Sequence, residues 1–388
     1  MSARELPLAS RVRGCLLAGA LGDALGAPIE FMKWPAIRAK WGPRGLTHFA
    51  PAYGVVGAVG ARGAITDDTQ MTLFTVEGLI RAEVRLAARG LCHPPAVVLH
   101  AYLRWLWTQG GSWKEAGREI WSEEQPEPDG WLARERFLHA RRAPGNTCLG
   151  ALQSRGDRGG PAQNDSKGCG GVMRAAPVGF LFGRERGVGK DGAAEAFAMS
   201  VEIAALTHGH PSGQLPAGVL AAVVHGVAHG GRTLDEALDV ATGLLQRQPR
   251  HRETLVALEA ARRLSLAGEP SAERVESLGE GWVAEEALAI AVYAALSHPE
   301  DQRAALVLAA NHSGDSDSTA AICGNLLGAV LGEGALPGDW LEELEGREVI
   351  TQLADDFARQ LEGRAPDLGE YSERTPEADA WWERYPGW

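Results

Sequence analysis

The sequence predicts an all-α protein built as one domain, and three observations carry that reading. From residue 193 to 361, apolar side chains recur every three or four positions with little interruption, which is the spacing of a helix face. Gly, Pro and His-Gly breaks separate the helical stretches. No run of alternating β-branched residues occurs, so strand content is expected near zero. The helical elements interleave without a linker, and no repeat period is evident. The expected organisation is one body over residues 1–362, with residues 363–388 as an aromatic-rich tail packed on it.

Taken in order, residues 11–27 read as a first helix, rich in Gly and Ala and so able to pack closely. Arg11 and Arg13 ahead of Cys15–Leu21 faintly resemble a signal peptide, but Asp23 interrupts the apolar run and a buried helix is the better reading. Residues 32–65 hold many Gly and Pro and are expected to form a long irregular loop. Helices follow at 69–90, with Leu73, Val76, Leu79, Ile80 and Val84 on one face, and at 94–109. The polar stretch 110–145, with Trp113, Trp121 and Trp131, reads as short helices and loops. A helix start is expected at 145–152, then an exposed loop over 153–167 that has no apolar face to bury. Beyond it, helices are expected near 194–206, 215–229, 233–247, 252–267, 284–297, 301–311, 318–332 and 347–362. The tail carries Tyr371, Trp381, Trp382, Tyr385 and Trp388. A disordered tail is normally poor in aromatics, so this one is expected to lie on the body.

Composition narrows the function. With 388 residues, 45% of them hydrophobic, the chain can bury a large core. The formal net charge of −12 and the absence of a Lys/Arg cluster argue against a nucleic-acid partner. No apolar run approaches the ~20 residues of a membrane span. The five cysteines are scattered, odd in number and without a C-x-x-C, which argues against disulfides and thiolate zinc and fits a reducing cytoplasm.

Two acidic clusters carry the chemistry. Thr66, Asp67 and Asp68 stand where the helix at 69–90 begins. One Asp there reads as a cap; a hydroxyl with two carboxylates exceeds what a cap needs. The second cluster is Asp315, Ser316, Asp317, Ser318 and Thr319, also opening a helix. Hard oxygen ligands of this kind suit Mg²⁺ or Mn²⁺ rather than Zn²⁺. Many carboxylates converging without a cation would repel one another. The ligand number points to two ions about 3.5–4 Å apart.

Gly168, Gly170 and Gly171 with Cys169 between them read either as an anion-binding nest or as a tight turn. Arg174 stands to face a ligand or to pair with a carboxylate, and the structural pair is the preferred reading. His208 and His210 lack a third nitrogen or sulfur ligand nearby, so a substrate-contacting imidazole or a helix C-cap is preferred over zinc. His312 is expected beside the second acidic cluster rather than in it. The run Gly187 to Gly192 matches G-x-G-x-x-G but has no βαβ setting, and it is no P-loop. No G-x-S-x-G motif or poised cysteine nucleophile is present.

Together the motifs resemble the ADP-ribosylglycohydrolase family, which includes ADP-ribosylarginine hydrolase and the dinitrogenase-reductase-activating glycohydrolase. The matching stretches are GCLLAGALGDALGAPIEF (14–31), GAITDDTQM (63–71), GNTCLGAL (145–152), GCGGVMRAAP (168–177), LTHG (206–209) and NHSGDSDSTAAICGNLLGA (311–329). They follow the family's order and span most of the chain. The resemblance implies an orthogonal helical bundle with two Mg²⁺ ions, Mn²⁺ as a substitute, at the base of a cleft. It implies Thr66, Asp67, Asp68, Asp315, Asp317 and Ser318 as ligands, with Asp317 bridging. Glu30 falls beside the metals, and Asp23 supports them from behind. Ser166, Gly168, Gly170, Gly171 and Met173 correspond to the loop that holds the ADP-ribose phosphates, and His208 to a substrate-side histidine. Ser318 resembles the arginine-acting branch, where other branches carry Thr. Cys169 departs from the Asn of many relatives, and the 153–167 loop has no clear counterpart.

The function implied is Mg²⁺-dependent hydrolysis of the bond between ADP-ribose and a protein arginine by a monomeric enzyme. Glu30 or Asp68 would take the proton of the attacking water, and Asp317 would anchor the metal site. The rival readings are another ADP-ribose linkage (serine, O-acetyl-ADP-ribose or nucleic acid), a non-catalytic binder on the same fold, and a phosphatase using the same ions.

Overall fold

The computed structural model describes residues 6–52, 62–113, 128–155, 160–183, 191–368 and 374–387. Its helices are α1 (Leu8–Gly26), α2 (Trp34–Trp41), α3 (Asp67–Arg89), α4 (Pro94–Thr108), α5 (Asn146–Arg155), α6 (Gly192–Ala205), α7 (Leu215–Ala228) and α8 (Leu234–Leu245). There follow α9 (Arg252–Ser265), α10 (Ala272–Glu276), α11 (Ala284–Ser297), α12 (Gln302–Ala310), α13 (Ser316–Leu331), α14 (Gly338–Glu343), α15 (Arg347–Leu361) and α16 (Pro376–Arg384). Among the described residues there is no strand, only an isolated bridge between Gly168 and Val283. The all-α expectation therefore holds. No described helix is long and apolar enough to cross a membrane.

Two helices form the axis of the molecule. α1 and α13 are buried on nearly every side and share the most extensive helix–helix contact. A helix that is apolar all round belongs in a core. Their approach is set by glycine: a Cβ on Gly324 would stand 2.1 Å from the Ala18 carbonyl oxygen, and one on Gly328 2.1 Å from that of Gly14. Asn325 reaches across the gap and donates to the Cys15 carbonyl at 2.9 Å. Arg11 donates to the Ala329 carbonyl at 2.7 Å and the Val330 carbonyl at 3.1 Å, satisfying acceptors left open at the end of α13.

Local signals explain the other boundaries. Thr66 caps α3, and Gly90, at φ 70°, ends it in the left-handed region. Thr233 and Glu236 form a capping box on α8. Asp191 caps α6, Asp301 caps α12 and Thr375 caps α16.

The expected loop over 32–65 is corrected by α2. Extended Lys33 and Pro35 in the first turn start it, and eight residues are too few to show a period. The tail contains α16, whose Trp381 is buried. Tyr385 donates to Asp356 at 2.7 Å, and Arg81 donates to the Pro386 carbonyl at 2.9 Å. Trp121, Tyr371, Trp388, residues 187–190 of the glycine decoy and 156–159 of the polar loop lie outside the described residues.

Candidate active site

The two acidic clusters, far apart in sequence, line one cavity of about 330 Å³. Glu30, Asp67, Asp68, Asp315, Asp317 and Ser318 all stand in its wall. Oxygens of Glu30, Asp315 and Asp317 lie within 4.8 Å of one another, and among the described residues no other set of acids, thiols and imidazoles converges so. Asp67 and Asp68 stand outside this tightest group.

Backbone pairing produces the convergence. After α1 the chain turns, and Phe31 N–H donates to Gly314 O while Gly314 N–H donates to Met32 O, both at 3.2 Å. This bracket sets Glu30 against the loop that carries Asp315. The Asp315 N–H is held by Glu280 O at 2.8 Å. On the other side, Asp23 of α1 is fully buried and accepts from Thr66 N–H at 2.9 Å and Thr69 N–H at 3.0 Å, and also from the Thr69 hydroxyl. A carboxylate at the first turn of α3 satisfies open donors and the helix dipole. Asp23 thus aims Asp67 and Asp68 without lining the cavity. Thr66 accepts from Asp68 N–H at 3.3 Å as the cap of α3, and it is not among the residues that line the cavity.

The acids strain one another. Burial, then the charge of Asp317, holds Asp68 and Asp67 well above the usual carboxylate range, and the same two causes act on Asp315. Glu30 is pushed to about 11 by burial and the neighbouring acids, and Asp23 to about 7. Asp68 Oδ1 is buried with no hydrogen-bond partner. Hard oxygens, mutual repulsion and an orphaned acceptor are what a divalent-cation seat presents before it is filled.

The opposite wall is the glycine stretch. Gly168, Gly170, Met173 and His208 line the cavity. A Cβ on Gly168 or Gly170 would meet the His208 ring at 3.3 or 3.2 Å. Ser166 stands behind, its Oγ accepting from Gly168 N–H at 3.2 Å and lying 3.1 Å from Thr147 Oγ1. Gly171, like Ser166, is not among the residues that line the cavity. It packs away from the wall, where a Cβ would meet Gly213 O at 2.7 Å. Its smallness serves chain packing on that side.

Arg174 also corrects its expected role. It is fully buried, yet its partners are Thr207 Oγ1 at 2.6 Å, Met71 Sδ and Cys148 Sγ at 3.3 Å each, and the Tyr102 ring at 4.4 Å. None is a carboxylate. His312 is buried in its own turn, against Ser313 O and Thr319 Oγ1. His210 accepts from Ser212 N–H at 3.0 Å through Nδ1 and faces Arg250.

Sequence reading passed over two residues at the mouth. Phe31 and Trp282 line the cavity and stack, with ring centroids 5.2 Å apart. Phe31 is 67% exposed and sits at φ 67°. A bulky residue in that region is strained, and such strain gathers at functional sites. Nothing in the local sequence marks it; its partner is far along the chain.

Fold and cavity together define an all-α protein in which a cluster of buried acids faces a glycine-lined wall. The model of the ADP-ribosylglycohydrolase family matches residues 4–367, and the chain belongs to that family and is a glycohydrolase. It is similar to ADP-ribosylarginine hydrolase Tri1 of Pseudomonas putida, 25% identical over 93% of this chain and 80% of that protein. It is also similar to ADP-ribosyl-[dinitrogen reductase] glycohydrolase of Rhodospirillum rubrum, 24% identical over 88% of this chain and 94% of that one. A chain solved in an ADP-ribosylglycohydrolase-related protein complex shares the fold, with a TM-score of 0.58, covering 91% of this chain and 99% of that chain.

Proposed function

We propose that the protein is a Mg²⁺-dependent hydrolase of the N-glycosidic bond between ADP-ribose and an arginine side chain of a protein. The observation that carries this is the meeting of Glu30, Asp315 and Asp317 within 4.8 Å, in a cavity that also holds Asp67, Asp68 and the Gly168–Gly170 wall. Two relatives named for hydrolysis of ADP-ribosyl groups, one of them on arginine, support the substrate. Thr66, Asp67, Asp68, Asp315, Asp317 and Ser318 would hold two Mg²⁺ ions, or Mn²⁺ in their place. When bound, the ions would supply Lewis acidity at ribose hydroxyls and at a water.

The chain's own residues do the rest. The Gly168 and Cys169 N–H groups are held by Ser166 Oγ and Trp282 O, so the diphosphate is taken by the N–H groups that follow them in the glycine turn, at Gly170 and Gly171, as glycine amides do in an anion nest. With bound cations offsetting the neighbouring charges that raise it, Glu30 would be ionised and would take the proton of the attacking water, with Asp68 as the alternative base. The water oxygen bonds to the anomeric carbon, the carbon–nitrogen bond breaks with its electron pair passing to nitrogen, and the leaving guanidine receives the proton that the base took from water. Positive charge on the ribose ring is stabilised by the surrounding carboxylates. At the mouth, the Phe31–Trp282 pair offers an aromatic face to the planar guanidinium. We read the enzyme as a cytoplasmic monomer; the described cysteines are all free thiols.

The test is a panel of defined conjugates, linked through arginine, serine, O-acetyl or a nucleic-acid end, assayed with Mg²⁺ and after chelation. Metal-dependent release of ADP-ribose from the arginine conjugate is expected. Release from another linkage alone reassigns the acceptor. Binding without turnover makes the protein a reader, and phosphate release makes it a phosphatase.

A further inference from the structure

We propose that Cys169 adds a sulfur ligand to the cation seat and makes the site of this chain selective for borderline and soft divalent ions over an all-oxygen seat. The proposal rests on the cation-seat reading of the acidic cavity.

Cys169 lines that cavity. Its Sγ lies 2.8 Å from Asp315 Oδ2 and 3.6 Å from Ser318 Oγ, both oxygens of the proposed ligand set. Neighbouring ligands of one ion, sulfur at about 2.3 Å and oxygen at about 2.1 Å, stand roughly 3.6 Å apart at the tetrahedral angle. The Ser318 separation matches that value, and the Asp315 one is shorter because the thiol donates to that carboxylate. The residue is held from behind, since its N–H donates to Trp282 O at 3.2 Å and Gly168 bridges to Val283. The backbone that carries the sulfur is therefore anchored at the cavity wall.

A second observation points to a ligand rather than to a thiol merely donating to a carboxylate. Asp68 lines the same cavity, is 3% exposed, and its Oδ1 has no hydrogen-bond donor. One thiol proton on Asp315 leaves that oxygen unsatisfied, whereas a cation beside Asp315 and Asp68 would satisfy both acids. Thiolate ligands shift preference towards Zn²⁺ and other thiophilic ions, while carboxylates alone suit Mg²⁺. Of the other thiols, Cys148 also lines the cavity, but its Sγ accepts from the Arg174 guanidinium at 3.3 Å; Cys15 and Cys323 are buried in the core, and Cys92 lies outside the cavity wall.

The test titrates the metal-free full-length protein with Cd²⁺ and follows the thiolate-to-metal charge-transfer band in the ultraviolet. In parallel, Mn²⁺ binding is measured by calorimetry. The wild type is expected to show a saturating band that excess Mg²⁺ suppresses. Cys169→Asn and Cys169→Ser should lose the band and bind Cd²⁺ about tenfold or more weakly, with Mn²⁺ binding and far-ultraviolet circular dichroism unchanged. A band that persists in both variants, or no band in a wild type that binds Mn²⁺, overturns the proposal. A wild type that binds neither ion overturns the cation-seat reading itself.

Discussion

The buried Arg174 guanidinium donates to the Thr207 hydroxyl at 2.6 Å, and its partners include no carboxylate among the described residues. That hydroxyl lies 2.9 Å from His208 Nδ1. The Thr207 hydrogen has two acceptors in reach, Nδ1 and, at 3.5 Å, the Ala204 carbonyl, and the shorter contact favours donation to Nδ1. His208 then carries its proton on Nε2, the nitrogen nearest the Gly168 wall. Burial, reinforced by the Arg174 charge, lowers the imidazole to about 3, so it stays a neutral donor at ordinary pH. Thr207→Val removes the relay with little change of shape. ADP-ribose affinity is expected to fall about tenfold, ~1.4 kcal/mol, and Thr207→Ser should restore it. Calorimetry gives the affinity, and nitrogen chemical shifts of His208 give the tautomer. Unchanged shifts in the valine variant would show that Thr207 does not set the ring.

Asp317 raises its neighbours more than any other charge in the cavity, acting on Glu30, Asp67, Asp68 and Asp315. Asp317→Asn keeps the shape and deletes that charge. Turnover of ADP-ribosyl-arginine is expected to drop at least about a thousandfold, roughly 4 kcal/mol. The metal-free variant should melt higher than the metal-free wild type, because a site built for function holds repulsion that the rest of the fold bears. Wild-type turnover by this variant removes the proposed mechanism.

The legibility of the site follows from where its physics resides. Thr66–Asp68 and Asp315–Ser318 were readable because hydroxyls and carboxylates crowded at a helix start are a local pattern, and Gly168 and Gly170 because closely spaced glycines mark close approach. The all-α fold was readable from periodicity that survives without knowledge of neighbours. Arg174 was misread because its partners come from three distant segments, at Met71, Cys148 and Thr207. Gly171 shares the composition of its neighbours and differs only in facing Gly213. Phe31 acquires its left-handed backbone from pairing with residue 314, a tertiary event that no window of sequence around it contains.

A pH-dependent response to Mg²⁺ follows from the shifted acids. Asp23 rises to about 7 and Glu30 to about 11, through burial first and the charge of Asp317 second. Acids whose folded pKa exceeds the unfolded value add stability that is whole below about pH 4 and drains as pH climbs through the folded value. The metal-free protein should therefore lose stability as pH rises through about 7. A cation offsets the repulsion, so stabilisation by Mg²⁺ should be greater at about pH 8 than at about pH 5.5, reaching about 2.7 kcal/mol when Mg²⁺ is a hundredfold above its Kd. Thermal melts at both pH values, with and without Mg²⁺, provide the check. An equal shift at the two pH values contradicts the electrostatic account.

The axis of the molecule makes the last prediction, because it joins packing to the site. α1 carries Asp23 and leads into Glu30, while α13 carries Asp317. The spacing of the two helices therefore sets the spacing of the acids. At Gly324 a Cβ would stand 2.1 Å from the Ala18 carbonyl oxygen and 2.9 Å from Gly19 N. These are backbone atoms, which a rotamer change cannot clear. Gly324→Ala must push the helices apart, against a typical overpacking cost of about 1–3 kcal/mol, and helix propensity, which favours Ala by about 1 kcal/mol, only partly offsets it. Gly150 supplies the contrast: it lies in α5, is exposed, and a Cβ there meets nothing within 4 Å. Gly150→Ala should stabilise by about 0.5–1 kcal/mol. Denaturant melts of the two variants are expected to move in opposite directions. Mn²⁺ affinity should fall in Gly324→Ala and hold in Gly150→Ala, since only the first displaces Asp317 from Glu30. Gly324→Ala with undiminished stability and Mn²⁺ affinity would show that the helices have room to spare, and that the acids take their spacing from the 31–32 and 314 backbone bracket alone.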